Sequence, residues 1–280
     1  MIAVVIENLR KKYGEFWALR GINLNIPTGS IFGILGPNGA GKSTTIKALV
    51  GALEPTGGSV SILGLDPLKE RQKLRKVIGY MPQSPALYED LSARDNILFF
   101  GRAQCVQNLE KKVDEILEFT ELVERQDDMV HTFSGGMKKR VSLACALIHN
   151  PDILILDEPT AAIDPHIKER TWELFRKISA KGITIIISTH LMDEALLCDR
   201  LAILRQGKVL AEDTPKKILE IGYTKVKITC DGTAVEKVIG GTPCELAALL
   251  REFGLAGVDS VDIEQESLDS IILKLIRDEE

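Results

Sequence analysis

A surplus of positive charge is missing from this sequence. Its 35 Lys and Arg face 40 Asp and Glu, for a net charge of −5. A free nucleic-acid binder carries a basic excess, so no nucleic-acid partner is expected. Cysteines are few and scattered: Cys105, Cys145, Cys198, Cys230 and Cys244 are odd in number and form no C-x-x-C pair. That excludes a disulfide framework and a cysteine zinc site, and fits the reduced thiols of a cytosolic protein. No apolar run approaches the roughly 18 residues of a membrane span. The opening residues MIAVVIENLRKKYG lack the basic-then-apolar order of a signal peptide. A membrane role would therefore be that of a peripheral partner to other chains.

What is present is the ordinary composition of a globular protein, 45% hydrophobic and 27% charged over 280 residues. That length suits one large domain plus a small extension. Residues 2–9 and 18–26 read as strands around a turn at Tyr13-Gly14. Residues 30–35 form a short apolar run before a Gly-rich turn, and a helix is expected from Lys42 to about Leu49. Strands are expected at 57–63 and 77–81. From Leu91 to about Asn150 the pattern is helical, with a capping-box-like start at Ser92 and helical candidates at 109–119 and Met137–His149. The bounded apolar runs Ile153–Leu156 and Ile183–Ser188 read as strands buried on both faces, joined by a helix over about 165–180 as in a parallel βαβ unit. Residues 201–204 and 207–211 complete an edge hairpin. After about residue 220 the character changes. Lys225–Cys230 alternates as a strand, and Thr242-Pro243-Cys244-Glu245 signals a helix start. Leu246, Leu249, Leu250 and Phe253 share a face ahead of a capping Gly254, and Ser267–Ile276 reads as a last helix.

Three motifs carry chemistry. Gly36-Pro37-Asn38-Gly39-Ala40-Gly41-Lys42-Ser43 fits G-x-x-x-x-G-K-[ST], followed by Thr44. Glycines let the backbone curl so that amides face phosphate oxygens, and the following helix adds its positive end. Lys42 is expected on the β- and γ-phosphates and the Ser43 hydroxyl on magnesium. Chance alone produces this pattern in roughly one chain per hundred of this length, and the flanking strand and helix are both expected here. Second, the apolar strand Ile153–Leu156 ends in Asp157-Glu158. Such a strand-end Asp holds the magnesium, and Glu158 is placed to polarise an attacking water. Together these define a P-loop NTPase. Third, Phe133-Ser134-Gly135-Gly136-Met137 opens a helix and makes a second anion nest. A second nest has a use if it caps the γ-phosphate held by another copy, in a two-fold dimer enclosing two nucleotides.

With these motifs the sequence resembles the ABC ATPase family, in order, from residue 1 to about 215. Ser134-Gly135-Gly136 resembles the family signature, although Met137 stands where many members have Gln and Phe133 where many have Leu. The SGGM form with a basic tail resembles drug and antibiotic exporters of the type-2 class. The resemblance implies an α/β fold: a P-loop NTPase core with a mostly parallel sheet, an antiparallel β subdomain and an inserted helical subdomain at about 88–150. Residues 221–280 would form a small C-terminal α+β appendage to the ATPase domain at 1–220. It implies that Tyr13 stacks on adenine, that Gln83 reaches the magnesium and water, and that His190 contacts the γ-phosphate. It also implies that Asp164, in Ala161-Ala162-Ile163-Asp164, touches the opposite site. The family usually has Gly where Ala162 stands, so a positive φ there would be costly. Catalytic roles then fall to Glu158, His190 and Lys42; magnesium to Ser43, Gln83 and Asp157; and ATP to Tyr13, residues 36–44, Gln83, Ser134, Gly135, Gly136 and Asp164.

The implied function is that of an ATP-hydrolysing subunit powering a membrane transporter, a homodimer held by ATP on the cytoplasmic face. Residues around Gln83 to Asp95 would meet integral membrane subunits. The sequence leaves two rivals: an ABC ATPase not coupled to transport, of the cluster-assembly or translation type, and a P-loop enzyme that phosphorylates a metabolite. The ending Glu266-Ser-Leu-Asp-Ser-Ile-Ile-Leu-Lys-Leu resembles the terminal helix of type-2 exporter ATPases and favours transport. The cargo is not written in this chain.

Overall fold

The protein is described by a computed structural model that defines residues 1–230, 233–253 and 258–277. The chain divides into two compact units, residues 1–209 and 210–280. Composition places the change of character near 220; the strand Lys208–Asp213, which continues the edge hairpin, crosses the observed division.

The first unit opens with the long strands β1 (Ile2–Tyr13) and β2 (Phe16–Pro27), followed by β3 (Ile31–Leu35) and helix α1 (Lys42–Leu49). β4 (Gly57–Ile62), α2 (Arg71–Val77) and β5 (Ile78–Met81) follow. β1 and β2 run further than the apolar pattern shows, because the hairpin pairing continues through charged residues to Tyr13↔Phe16. α2 has Leu74 as its single buried residue, so it carries no apolar stripe that the sequence could reveal.

The helical segment contains α3 (Ala93–Ala103), α4 (Leu109–Phe119) and α5 (Gly135–Leu147). Their core is formed by side chains such as Ile97, Val113, Leu117, Val130, Phe133 and Val141. Ser92 caps α3 by accepting from the Asp95 amide at 3.0 Å, as the sequence predicts. α5 begins at Gly135, two residues earlier than expected, because Ser134 caps it by accepting from the Met137 amide at 3.3 Å.

β6 (Ile153–Asp157), α6 (Pro165–Ala180), β7 (Thr184–Thr189), the short α7 (Met192–Ala195), β8 (Arg200–Arg205) and β9 (Lys208–Asp213) complete the main sheet, its helices and its edge hairpin. The main sheet has the order β5-β6-β7-β3-β8-β9. β5, β6, β7, β3 and β8 are parallel. β9 returns through Gln206-Gly207, both at positive φ, as a two-residue hairpin requires. Every residue of β3, β6 and β7 is buried, the mark of parallel strands covered on both faces. A separate antiparallel sheet, β2-β1-β4, packs its inner residues Val4, Ile6, Leu24 and Ile26 into a common core with Ile34, Ile46 and Ile155.

The second unit contains α8 (Pro215–Leu219), β10 (Tyr223–Cys230), β11 (Thr233–Gly240), α9 (Pro243–Phe253), β12 (Val258–Gln265) and α10 (Leu268–Arg277). Its antiparallel sheet has the order β11-β10-β12. Val226 and Ile228 meet Leu249 of α9 in its core. Thr242 caps α9 by accepting from the Glu245 amide at 3.4 Å. Gly254, expected as the C-terminal cap, and the Phe253 side chain lie outside the described residues. Among the described residues, no helix is long and apolar enough to cross a membrane.

Candidate active site at the strand ends

Parallel pairing decides where the chemistry gathers. Leu35 of β3 lies beside Thr189 of β7, Asp157 of β6 beside Ser188, and Met81 of β5 beside Leu156. The carboxyl ends of four neighbouring strands therefore finish together. They release the phosphate loop, Asp157-Glu158, the turn to His190, and the segment to Gln83 along one edge, where open α/β sheets bind ligands.

The phosphate loop connects β3 to α1. Pro37, Asn38 and Gly39 form its exposed crest, while Gly36, Ala40, Gly41 and Lys42 are buried; Ser43 and Thr44 are half-buried. Two glycines are required by geometry. A Cβ on Gly36 would lie 2.3 Å from the Leu204 carbonyl oxygen, and Gly41 starts α1 at φ +110° beside the Ala18 carbonyl. The Lys42 ammonium donates to the carbonyls of Gly36 (2.7 Å) and Pro37 (3.2 Å) and stands 3.6 Å from Glu158 Oε1.

Asp157 and Glu158 are both buried. The Ser43 hydroxyl donates to Asp157 Oδ1 at 3.4 Å, and Ser188 hydrogen-bonds the same oxygen. Glu158 has φ +48°, a conformation that non-glycine residues adopt rarely and that concentrates at functional sites. Its amide is held by the Ser188 hydroxyl at 3.0 Å and the Ser188 carbonyl at 3.1 Å. Its carboxylate accepts from Gln83 Nε2 at 3.1 Å and lies 3.3 Å from His190 Nδ1. Lys42, Gln83 and His190 thus converge on one carboxylate, as expected if all four serve one reaction centre.

Tyr13, Ser134, Gly135, Gly136 and Asp164 are placed differently. Among the described residues, no hydrogen bond or ion pair joins them to this group. Tyr13 is 47% exposed, with Lys11 Nζ 5.1 Å from its ring centroid, and an aromatic ring at an exposed position can stack on a base. Ser134 and Gly135 are exposed at the start of α5, while Gly136 is buried, and an added Cβ there would come within ordinary van der Waals contact of Ile163 and Ile167. Asp164 is exposed and caps α6 by accepting from the His166 amide at 2.9 Å. Ala162 adopts φ +58°. The left-handed conformation is therefore kept without glycine, at a cost of about 1 kcal/mol.

Sequence reading missed several groups that hold this site. Ser188 is one of three hydroxyl residues, with Thr184 and Thr189, in the fully buried strand β7. Lys139 of α5 donates to the carbonyls of Glu158 (3.0 Å) and Ala161 (2.5 Å). Burial pulls its ammonium below the ordinary lysine value, against the opposing effect of Glu194 and Glu158. Glu194 is buried against Thr160, Thr189 and Lys168. The one signal that could have found Ser188 is a polar residue inside a buried strand; Lys139 and Glu194 read as surface charges.

Comparison with known proteins identifies the family. The family model described as "ABC transporter" matches residues 19–161. The chain is 38% identical over 271 residues to the Nod factor export ATP-binding protein I of Rhizobium sp. (strain N33), covering 95% of this chain and 85% of that protein. It is 39% identical over 231 residues to the linearmycin resistance ATP-binding protein LnrL of Bacillus subtilis (strain 168), covering 81% and 74%. Among solved structures, an ATP-binding subunit of an ABC transporter superposes with a TM-score of 0.74 at 28% identity, over 98% of this chain and 99% of that one. An ATP-binding cassette solved as a dimer in a post-hydrolysis state with ADP and Pi matches with a TM-score of 0.68 at 32% identity, over 75% and 98%. The chain belongs to the ABC transporter family, as one of its ATP-binding subunits.

Proposed function

We propose that this chain is the ATP-hydrolysing subunit of an exporter, acting as a homodimer on the cytoplasmic side of a membrane. The observation that carries the reading is the convergence of Lys42, Gln83 and His190 on Glu158 beside the phosphate loop, while Ser134 and Gly135 stand exposed at a helix start. The curated relatives named for Nod factor export and linearmycin resistance support export rather than a role away from membranes.

In this reading Tyr13 stacks on the base, and the amides of residues 38–44 with Lys42 hold the phosphates. Glu158 orients and deprotonates the attacking water, Gln83 and His190 fix Glu158, and His190 also faces the γ-phosphate. Ser134, Gly135 and Gly136 of a second copy close the site, with Asp164 at the same seam. Among the described residues, no group of three or more His, Cys, Asp or Glu could hold a metal. The hydroxyl of Ser43 and the carboxylate of Asp157 form an oxygen donor pair beside the loop, which suits magnesium shared with phosphates and water. Gln83 would reach it through water. Magnesium supplies charge neutralisation at the phosphates; the side chains supply position.

A groove of about 400 Å³ lined by Tyr80, Leu87, Phe100, Cys145 and His149 opens beside the segment Gln83–Asp95, and in this reading it is that segment which meets the membrane subunits. Three measurements test the reading together. The purified chain should release phosphate from ATP with no acceptor present, and Lys42→Ala should lose most ATP binding. Isolated from membranes, it should come with an integral membrane protein. Recovery with ribosomes or an assembly scaffold instead, or a strict need for a metabolite acceptor, would overturn it.

A further inference from the structure

A buried carboxylate outside the residues assigned above ties three parts of the site together. Glu194 lies on α7, four residues after His190, and is 1% exposed. A buried charge persists only with partners, and both of its oxygens have them. Oε1 accepts from the Thr160 hydroxyl and faces Lys168 Nζ at 3.1 Å; Oε2 accepts from the Thr189 hydroxyl at 2.7 Å. The same Thr189 oxygen accepts from the Leu191 amide at 3.1 Å, shaping the turn that carries His190.

Each partner sits next to a residue of the proposed machinery. Thr160 is two residues after Glu158, in a stretch that holds Glu158 at φ +48° and Ala162 at φ +58°. Thr189 precedes His190. Lys168 is on the first turn of α6, and its amide donates to the Asp164 carbonyl at 2.9 Å. We propose that Glu194 is a positioning residue for hydrolysis: it locks the Glu158 turn, the His190 turn and the Asp164 helix start into one mutual arrangement without touching the nucleotide. The inference rests on the assignment of Glu158 and His190 to hydrolysis. Misplacing a reacting group by about 1 Å costs on the order of 100-fold in rate, so loosening this lock should reduce turnover and spare binding.

The test uses the full chain and compares Glu194→Gln, Thr160→Val and Thr160→Ser with Glu158→Gln as reference. It records kcat, KM, nucleotide affinity and the thermal midpoint. Glu194→Gln and Thr160→Val should fold, keep ATP affinity within about threefold, and lose about 10- to 100-fold in kcat. Thr160→Ser, which keeps the hydroxyl, should restore turnover. The Glu194→Gln/Thr160→Val double variant should be little worse than the weaker single one, because both break the same link. Wild-type kcat in a folded Glu194→Gln or Thr160→Val protein would overturn the proposal, as would a loss confined to KM. If Glu194→Gln does not fold, the Thr160→Val and Thr160→Ser pair decides. With Glu158→Gln inactive and the other variants normal, the Glu194 proposal falls alone; with Glu158→Gln fully active, the site assignment falls and takes this inference with it.

Discussion

The two units of the chain bury their sheets in opposite ways. In the first, β3, β6 and β7 are buried at every residue. In the second, β10 alternates, and most of β11 and β12 is exposed. On the outward face of the second sheet, Lys225 lies between Val238 and Glu264, and Lys227 between Glu236 and Asp262. Such cross-strand charge pairs suit a solvated surface. The difference teaches where precise chemistry can be built. Strands packed on both faces cannot shift, so the groups at their carboxyl ends are held to fractions of an ångström. Among the described residues, the second unit's sheet is exposed along most of β11 and β12 and offers no comparable scaffold.

The largest effect that would sharpen this contrast is at the strand end of β6. Glu158→Gln should bind ATP, lose about 100-fold or more in hydrolysis and accumulate a dimer in ATP, read by sedimentation. A monomer at saturating ATP would count against the enclosed nucleotide. Next, Ile186→Ala empties a fully buried position of β7 and should cost about 2–5 kcal/mol in chemical denaturation. A loss below about 1 kcal/mol would show that the sheet is less tightly filled than its burial states. Third, Ala162→Gly relieves an L-residue at φ +58° and should stabilise the chain by about 0.5–1 kcal/mol. If it destabilises, the left-handed turn is not held in solution. The smallest effect belongs to the second unit: Val238→Thr, at a position 61% exposed, should change stability by less than about 0.5 kcal/mol. A larger loss would mean that this face is covered.

The legibility of the sequence follows the same divide. The phosphate loop, the strand ending at Asp157-Glu158, and Ser134 at the start of α5 are local patterns, and periodicity with capping residues suffices to read them. His190 and Gln83 come from resemblance, and the parallel register explains why strands so distant in the chain deliver them to one carboxylate. Lys139 and Glu194 are not legible, because their partners are fixed by tertiary packing and nothing near them in sequence announces it; Ser188 is marked only as a polar residue inside a buried strand. β11 and β12 were missed for a different reason. Their exposed faces mix Glu, Lys, Asp and Val, so the apolar alternation that marks a half-buried strand is weak.

The central claim is that each copy lends its serine–glycine turn to the nucleotide of its neighbour. Mixing two inactive variants, Lys42→Ala and Ser134→Arg, tests it most directly. In the mixed dimer, one site combines an intact phosphate loop from one chain with an intact Ser134 turn from the other. Phosphate release should therefore reappear on mixing and track the fraction of mixed dimer. A mixture no more active than the two variants measured apart would contradict the account.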